Sequence, residues 1–328
     1  MMSRRTVLAG TAAALAVPAK ALEVGGLVPG VRIKPDYEAM VKVPGGRVWV
    51  RVNGKLDGPK PPIVMLHGGP GSSHWYFLNG TALAGDRAVI LYDQLDSGRS
   101  ETPGNKANWV VPRFIDELEA IRSFLELKRW HVLGASWGGT VALEYAATRP
   151  PALASLVLQS PLVSTELWLQ DARLLKDRMP ASIRDLLDKC DTPGAAPQDA
   201  CDKATDAFYA RHVRMRAPPA VIEAYKEALP RSFSPDIYNY MWGRAEFTSS
   251  GTLKTYDGRP LLAQLDSKRT LFVAGQYDEA RPATVKGFAA AVPGGADFTE
   301  IRDAAHSVMN DNPAAYLAAL RPWLAARD

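Results

Sequence analysis

Short, nearly unbroken apolar runs recur along the chain: Ile63 to Leu66, Ala88 to Tyr92, Trp130 to Leu133 and Leu153 to Leu158. Runs of this length without polar alternation predict strands covered on both faces, as in a parallel sheet. Ahead of them, Glu38 to Val43 and Arg47 to Val52 alternate in polarity around Pro44-Gly45-Gly46, a hairpin signal. Phe114, Leu118, Ile121 and Leu125 are spaced four, three and four apart, the apolar stripe of an amphipathic helix. From about 160 to 255 the pattern becomes helical, charged and aromatic, with no buried-strand run. Strand signals resume at Thr270 to Ala274 and Phe298 to Ile301, and a last helix is predicted from about Pro313 to Ala326. The alternation predicts an α/β fold: a mostly parallel sheet with helices on both faces, interrupted by a helical cap. The expected division is a core of residues 22–160 and 256–328 and a cap of residues 161–255.

Composition changes this picture at the N-terminus. The chain has 328 residues, 47% of them hydrophobic, enough for a large core. Its formal charge is +4, but Arg4, Arg5 and Lys20 lie among the first 21 residues, where there is no acid. Without them the balance is close to neutral, so nucleic-acid binding loses its electrostatic argument. Ser3-Arg4-Arg5-Thr6-Val7-Leu8, an apolar run to Val17, and Pro18-Ala19-Lys20-Ala21 read as a leader over residues 1–21. The run is too short to span a bilayer, so a cleaved export signal is expected rather than an anchor. Its twin arginines resemble those of the Tat route, which implies the Tat export machinery as a partner and a periplasmic or secreted product. The alternative is a basic start on a cytoplasmic protein. Cys190 and Cys201, eleven apart, are expected to close a disulfide loop in such a compartment; the alternative is two unrelated thiols. No His or Cys spacing suggests a metal site, and neither metal nor organic cofactor is expected.

The candidate chemistry begins at Gly134-Ala135-Ser136-Trp137-Gly138, set between a predicted strand and a helix-forming run. A serine at such a turn projects its hydroxyl from the sheet edge, and the Trp137 amide at the helix start is an oxyanion donor. A serine nucleophile needs a base and an orienting acid, which this arrangement puts later in the chain. His67 and His74 precede the serine, His131 lies in a strand and His212 in the insertion. Only His306 follows a late strand. Asp278, after the strand ending at Gly275, is the preferred acid on placement, with Glu279 its rival. In His67-Gly68-Gly69-Pro70-Gly71, Gly68 and Gly69 let backbone approach a substrate, and Gly69 is the expected second oxyanion donor.

These segments together resemble the prolyl iminopeptidase family of α/β-hydrolases, which includes L-amino-acid amidases. The resemblance rests on His67-Gly68-Gly69-Pro70-Gly71, Tyr92-Asp93-Gln94 through Ser97-Gly98-Arg99-Ser100, and the Ser136 motif. It continues through Met241-Trp242-Gly243-Arg244-Ala245-Glu246-Phe247-Thr248, Gly251-Thr252-Leu253, Gly275-Gln276-Tyr277-Asp278 and His306-Ser307. It implies a triad of Ser136, Asp278 and His306 that releases an N-terminal proline or small apolar residue from short peptides or amides. It also implies that Glu246 binds the substrate's free ammonium. A carboxylate in a partly dry pocket pairs with that charge and resists an acylated amine. Trp242, Phe247 and Tyr240 are candidates for the pocket wall, or cap core. Some positions depart from the family: Asp96 replaces a common glycine, Arg244-Ala245 precedes Glu246, and the cap's second acid has no evident match. An esterase or lactonase acting on amine-free substrates is the alternative within the fold, and a non-catalytic binding protein the alternative outside it.

Overall fold

The structure is a computed structural model, and it describes residues 23–24, 26–192 and 194–328. The leader expected over residues 1–21 lies outside the described residues. The strands, in chain order, are β1 (Glu23–Val24), β2 (Tyr37–Val43), β3 (Gly46–Asn53), β4 (Ile63–Leu66), β5 (Val89–Tyr92), β6 (Trp130–Ala135), β7 (Leu153–Gln159), β8 (Arg216–Ala217), β9 (Thr270–Gly275) and β10 (Asp297–Ile301). The helices are α1 (Val111–Phe124), α2 (Trp137–Ala147), α3 (Thr165–Lys176), α4 (Ala181–Cys190), α5 (Gln198–His212), α6 (Ala220–Glu227), α7 (Pro235–Met241), α8 (Pro282–Ala291), α9 (Val308–Asp311) and α10 (Pro313–Ala325).

An eight-stranded sheet runs in the order β10-β9-β7-β6-β4-β5-β3-β2. Every neighbouring pair from β10 to β5 is parallel, and only the β2–β3 hairpin and its pairing with β5 are antiparallel. The apolar runs of the sequence are these central strands, and each residue of β4, β5 and β6 is buried. On one face the sheet packs against Phe114, Leu118 and Ile121 of α1, Val141 and Tyr145 of α2, and Val285 and Phe288 of α8. On the other it packs against Phe77 and Leu83 and against Tyr316, Leu317 and Leu320 of α10. Burying one such side chain stabilises the fold by about 1.5–3 kcal/mol. The fold is the α/β-hydrolase arrangement, with helices on both faces.

Helices α3 to α7 all lie between β7 and β9, so the helical stretch read from the sequence is an insertion at one point of the sheet. Its small core gathers Leu175, Met179, Leu187, Ala204 and Phe208. The Cys190 and Cys201 sulfurs are bonded, fastening the end of α4 to the first turn of α5 across a Cα–Cα distance of 5.7 Å. The insertion also holds the short β8, which pairs in parallel with β1 and which no apolar run announced.

Candidate active site

The parallel strands end together, so the turns after β4, β6, β7 and β9 meet at one sheet edge. Ser136 stands at the end of β6 with φ 56 and ψ −121, a strained conformation for a residue with a side chain. The turn is possible because two glycines let strand and helix touch. A Cβ at Gly134 would sit 2.1 Å from the Gly138 carbonyl oxygen, and one at Gly138 would sit 2.2 Å from that of Leu66. The serine is thereby wedged between the start of α2 and the end of β4.

The loop after β4 lies directly against it. A Cβ on Gly68 would be 2.9 Å from the Ser136 Cβ, so Gly68 is the residue that gives the nucleophile its space. Gly69, the expected donor, follows with φ 114, folded over Gly71 and Ser72. His67 and His74 serve this loop. The Gln94 amide donates to His67 Nε2 at 3.0 Å, and His74 Nδ1 lies 2.9 Å from the Asp93 carboxylate. The Trp137 indole donates to Gln94 Oε1 at 2.9 Å, tying the start of α2 to the same framework.

His306 and Asp278 arrive from β10 and β9. His306 Nδ1 is 2.8 Å from Asp278 Oδ1, and both residues are buried. The carboxylate is held from all sides: Ser160 Oγ and the Gly275 amide donate to Oδ2 at 2.5 and 3.1 Å, and the Ala280 amide donates to Oδ1 at 2.9 Å. Burial pushes the His306 imidazole down, but the Asp278 charge and hydrogen bond, joined by the Glu246 charge, outweigh it and leave the group above the ordinary histidine value. Ser136 and His306 are linked through Gln159. The Ser136 amide donates to the Gln159 carbonyl at 3.0 Å, the Gln159 side chain donates to the Tyr76 hydroxyl at 2.7 Å, and that hydroxyl donates to the His306 carbonyl at 2.9 Å.

The insertion closes over this edge. The His212 carbonyl at the end of α5 accepts from the amides of Glu279 and His306, at 3.1 and 3.2 Å. Glu246 is half-buried; Tyr238 donates to its Oε1 at 2.7 Å, and its amide donates to the Tyr209 hydroxyl at 3.1 Å. Burial raises the Glu246 carboxyl above its usual range, against the lowering pull of His306 and the Tyr238 hydrogen bond. Glu279 is 2% exposed, with Oε1 3.9 Å from His306 Nε2. Burial, and then the charges of Glu246 and Asp278, push it well above the carboxylate range. The two rivals for the triad acid therefore hold different places, Asp278 at Nδ1 and Glu279 on the Nε2 side. Glu279 is thus a second acid beside the histidine, on the core loop next to Asp278 rather than in the insertion.

The aromatic side chain that meets the histidine is one the sequence did not single out for the site. Trp168 of α3 meets the His306 ring edge-on, with centroids 5.5 Å apart, and its indole donates to the Glu246 carbonyl at 2.9 Å. Trp242 stands behind it, centroid to centroid 5.9 Å, its own indole donating to the Ala245 carbonyl. Phe247 packs on Phe208 and Tyr209, and Tyr240 on Trp109. Those three side chains pack within the insertion and against the core. The Asp96 departure is explained by the same seat: with φ 67 it accepts from the Gly104 amide and the Trp109 indole, at 2.7 and 2.8 Å.

The model of the alpha/beta hydrolase fold matches residues 61–313. The chain is 35% identical to a proline iminopeptidase of Heyndrickxia coagulans over 290 residues, 88% of this chain and 98% of that protein. Another proline iminopeptidase, from Levilactobacillus brevis, is also 35% identical, over 86% of this chain and 94% of its own length. The chain belongs to the proline iminopeptidase family of α/β-hydrolases. It is therefore an enzyme, a serine aminopeptidase by kinship. Among solved structures, a proline iminopeptidase of Mycobacterium smegmatis is 32% identical with a TM-score of 0.78, over 89% of this chain and 98% of that one. The structure of VinJ is 31% identical with a TM-score of 0.82, over 90% and 100%. The family's serine motif and late histidine were legible because each sits in a recognisable local pattern. Ser160, Trp168, Tyr209 and Tyr238 carry no such pattern, and only Glu279, adjacent to Asp278, left a trace in the sequence.

Proposed function

We propose that this enzyme releases an N-terminal proline or small apolar residue from short peptides or amino-acid amides, through an acyl-enzyme on Ser136. The observation that carries this reading is the pair of carboxylates, Glu246 and Glu279, gathered near the candidate catalytic histidine and near each other. Two acids with raised pKa values, Glu279 buried and Glu246 half-buried, with no lysine or arginine among the groups acting on them, form a receptor for a cation. A free N-terminus is the cation that an exopeptidase must find. The named activity of the 35%-identical relatives agrees with this.

In this mechanism His306 takes the Ser136 proton as the hydroxyl attacks the scissile carbonyl, and Asp278 supports the imidazolium. The Trp137 amide and the backbone of the Gly68-Gly69 turn hold the oxyanion; losing one such donor typically costs about 3–4 kcal/mol of barrier. His306 then gives its proton to the leaving amine, and water releases the acyl group by the reverse path. Trp168 lies beside the histidine, where the ring or side chain of the acyl residue would pack.

The test compares proline 4-nitroanilide, its N-acetylated form and 4-nitrophenyl acetate. Acetylation removes the charge that both carboxylates await, so kcat/KM is expected to fall roughly 100-fold or more. Glu246→Gln is expected to weaken free-amine substrates and to leave the simple ester little changed. Equal turnover of the free and acetylated anilides would overturn the assignment.

A further inference from the structure

The Asp278 carboxylate occupies His306 Nδ1, while Nε2, the nitrogen that must accept the serine proton, looks toward another acid 3.9 Å away. That acid, Glu279, is 2% exposed, and its Oε1 has no hydrogen-bond partner among the described residues. A buried carboxylate oxygen left without a donor costs free energy, so such an atom calls for an explanation. The groups that face it are Asp278 and His306 on the core loops, Glu246 on the insertion, and the phenols of Tyr209 on α5 and Tyr238 on α7. Among these, His306 alone can carry a positive charge.

We infer that Glu279 couples amine recognition to the catalytic base: with no ammonium in the site, closing the 3.9 Å gap to His306 Nε2 lets the two groups share one proton, which withholds that nitrogen from Ser136. The inference rests on the ammonium reading above and goes a step beyond it. When a protonated amine settles between Glu246 and Glu279, its charge favours the ionised form of both. It also disfavours the imidazolium. The shared proton passes to solvent, no other bond changes, and His306 is left neutral with its Nε2 lone pair free for Ser136. In the empty site the pair keeps one proton: burial and the charges of Glu246 and Asp278 favour it on Glu279, and the Asp278 and Glu246 charges favour it on His306. Discrimination then lies in the chemical step as well as in binding: an amine-free substrate meets a base that still carries its proton.

The experiment follows kcat/KM against pH for 4-nitrophenyl acetate and proline 4-nitroanilide, in the wild type and Glu279→Gln, with active sites counted by a fluorophosphonate. Removing the carboxylate is expected to move the acidic limb of ester hydrolysis down by about one to two pH units. Ester turnover on that limb then rises roughly tenfold or more, while the anilide loses kcat/KM. A second readout needs no variant. Prolinol, an amine without a scissile carbonyl, is expected to release about one proton per site on binding near neutral pH, read by calorimetry in buffers of different ionisation heat. An ester limb that stays in place or moves up, or binding without proton release, overturns the inference. If acetylation still harms the anilide in that case, the ammonium reading stands alone; if acetylation is harmless, that reading has failed by itself.

Discussion

Ser160 offers the sharpest test of how the acid of the site is held. It is buried immediately after β7, with φ 47, and its hydroxyl donates to Asp278 Oδ2 at 2.5 Å. Remove it and Oδ2 keeps only the Gly275 amide, at 3.1 Å, while Oδ1 retains Ala280 and His306. A hydrogen bond to a charged group contributes about 1.5–3 kcal/mol. If the transition state feels all of it, when the imidazolium leans hardest on Asp278, the rate falls roughly 10- to 150-fold. Three other donors remain, so Ser160→Ala is expected near the lower end, about tenfold in kcat. The loss falls on both the anilide and the ester, with KM little changed, because the residue acts through His306 and touches no substrate. Ser160→Gly separates this from a merely structural role. It loses the same hydroxyl but relieves the positive φ, so it should be more stable than the alanine variant by about 1 kcal/mol. Steady-state kinetics beside urea unfolding of both variants decide the matter. A glycine variant with wild-type kcat, or an alanine variant that alters only KM, refutes the reasoning.

Reducing the Cys190–Cys201 bond reopens a short loop between α4 and α5 and is expected to lower stability by about 2–3 kcal/mol, read as a shifted urea midpoint with and without a phosphine reductant. A midpoint that does not move would mean that the rest of the insertion already constrains these helices in the unfolded chain. His131 gives a pH signature far from the active site. Its fully buried side chain is held down to about 4 by burial first and then by the Arg87 charge, against lesser pulls upward from Asp328. A depressed folded value means that its contribution is complete above about pH 6.5 and is lost as pH falls through about 4, a total of about 3 kcal/mol. His131→Asn should flatten the stability profile between those values; an unchanged slope would show that other groups carry it.

Much of the architecture is legible in the sequence itself. Central strands of a doubly covered sheet must be apolar on both sides, so Ile63 to Leu66 and Leu153 to Leu158 declare themselves by composition alone. Ser136 declares itself because strand and helix cross too closely there for anything but glycine at 134 and 138. These are local demands, and a local pattern records them.

What tertiary structure alone decided is which distant residues share a space. Gly68, more than Gly69, abuts the serine because β4 lies beside β6 in the sheet, although paired residues such as Ile63 and His131 are 68 positions apart in the numbering. Trp168 meets His306, and Trp242 and Phe247 do not, because α3 enters the insertion directly from the sheet edge while the later aromatics pack behind it. Asp278 and Glu279 are adjacent acids with the same local credentials. The turn after β9 sends one to Nδ1 of the histidine and the other to its Nε2 side, and that divergence depends on the path of the backbone rather than on the identity of either residue. Periodicity reports what each segment must bury; only the order of strands in the sheet determines which loops meet once it is buried.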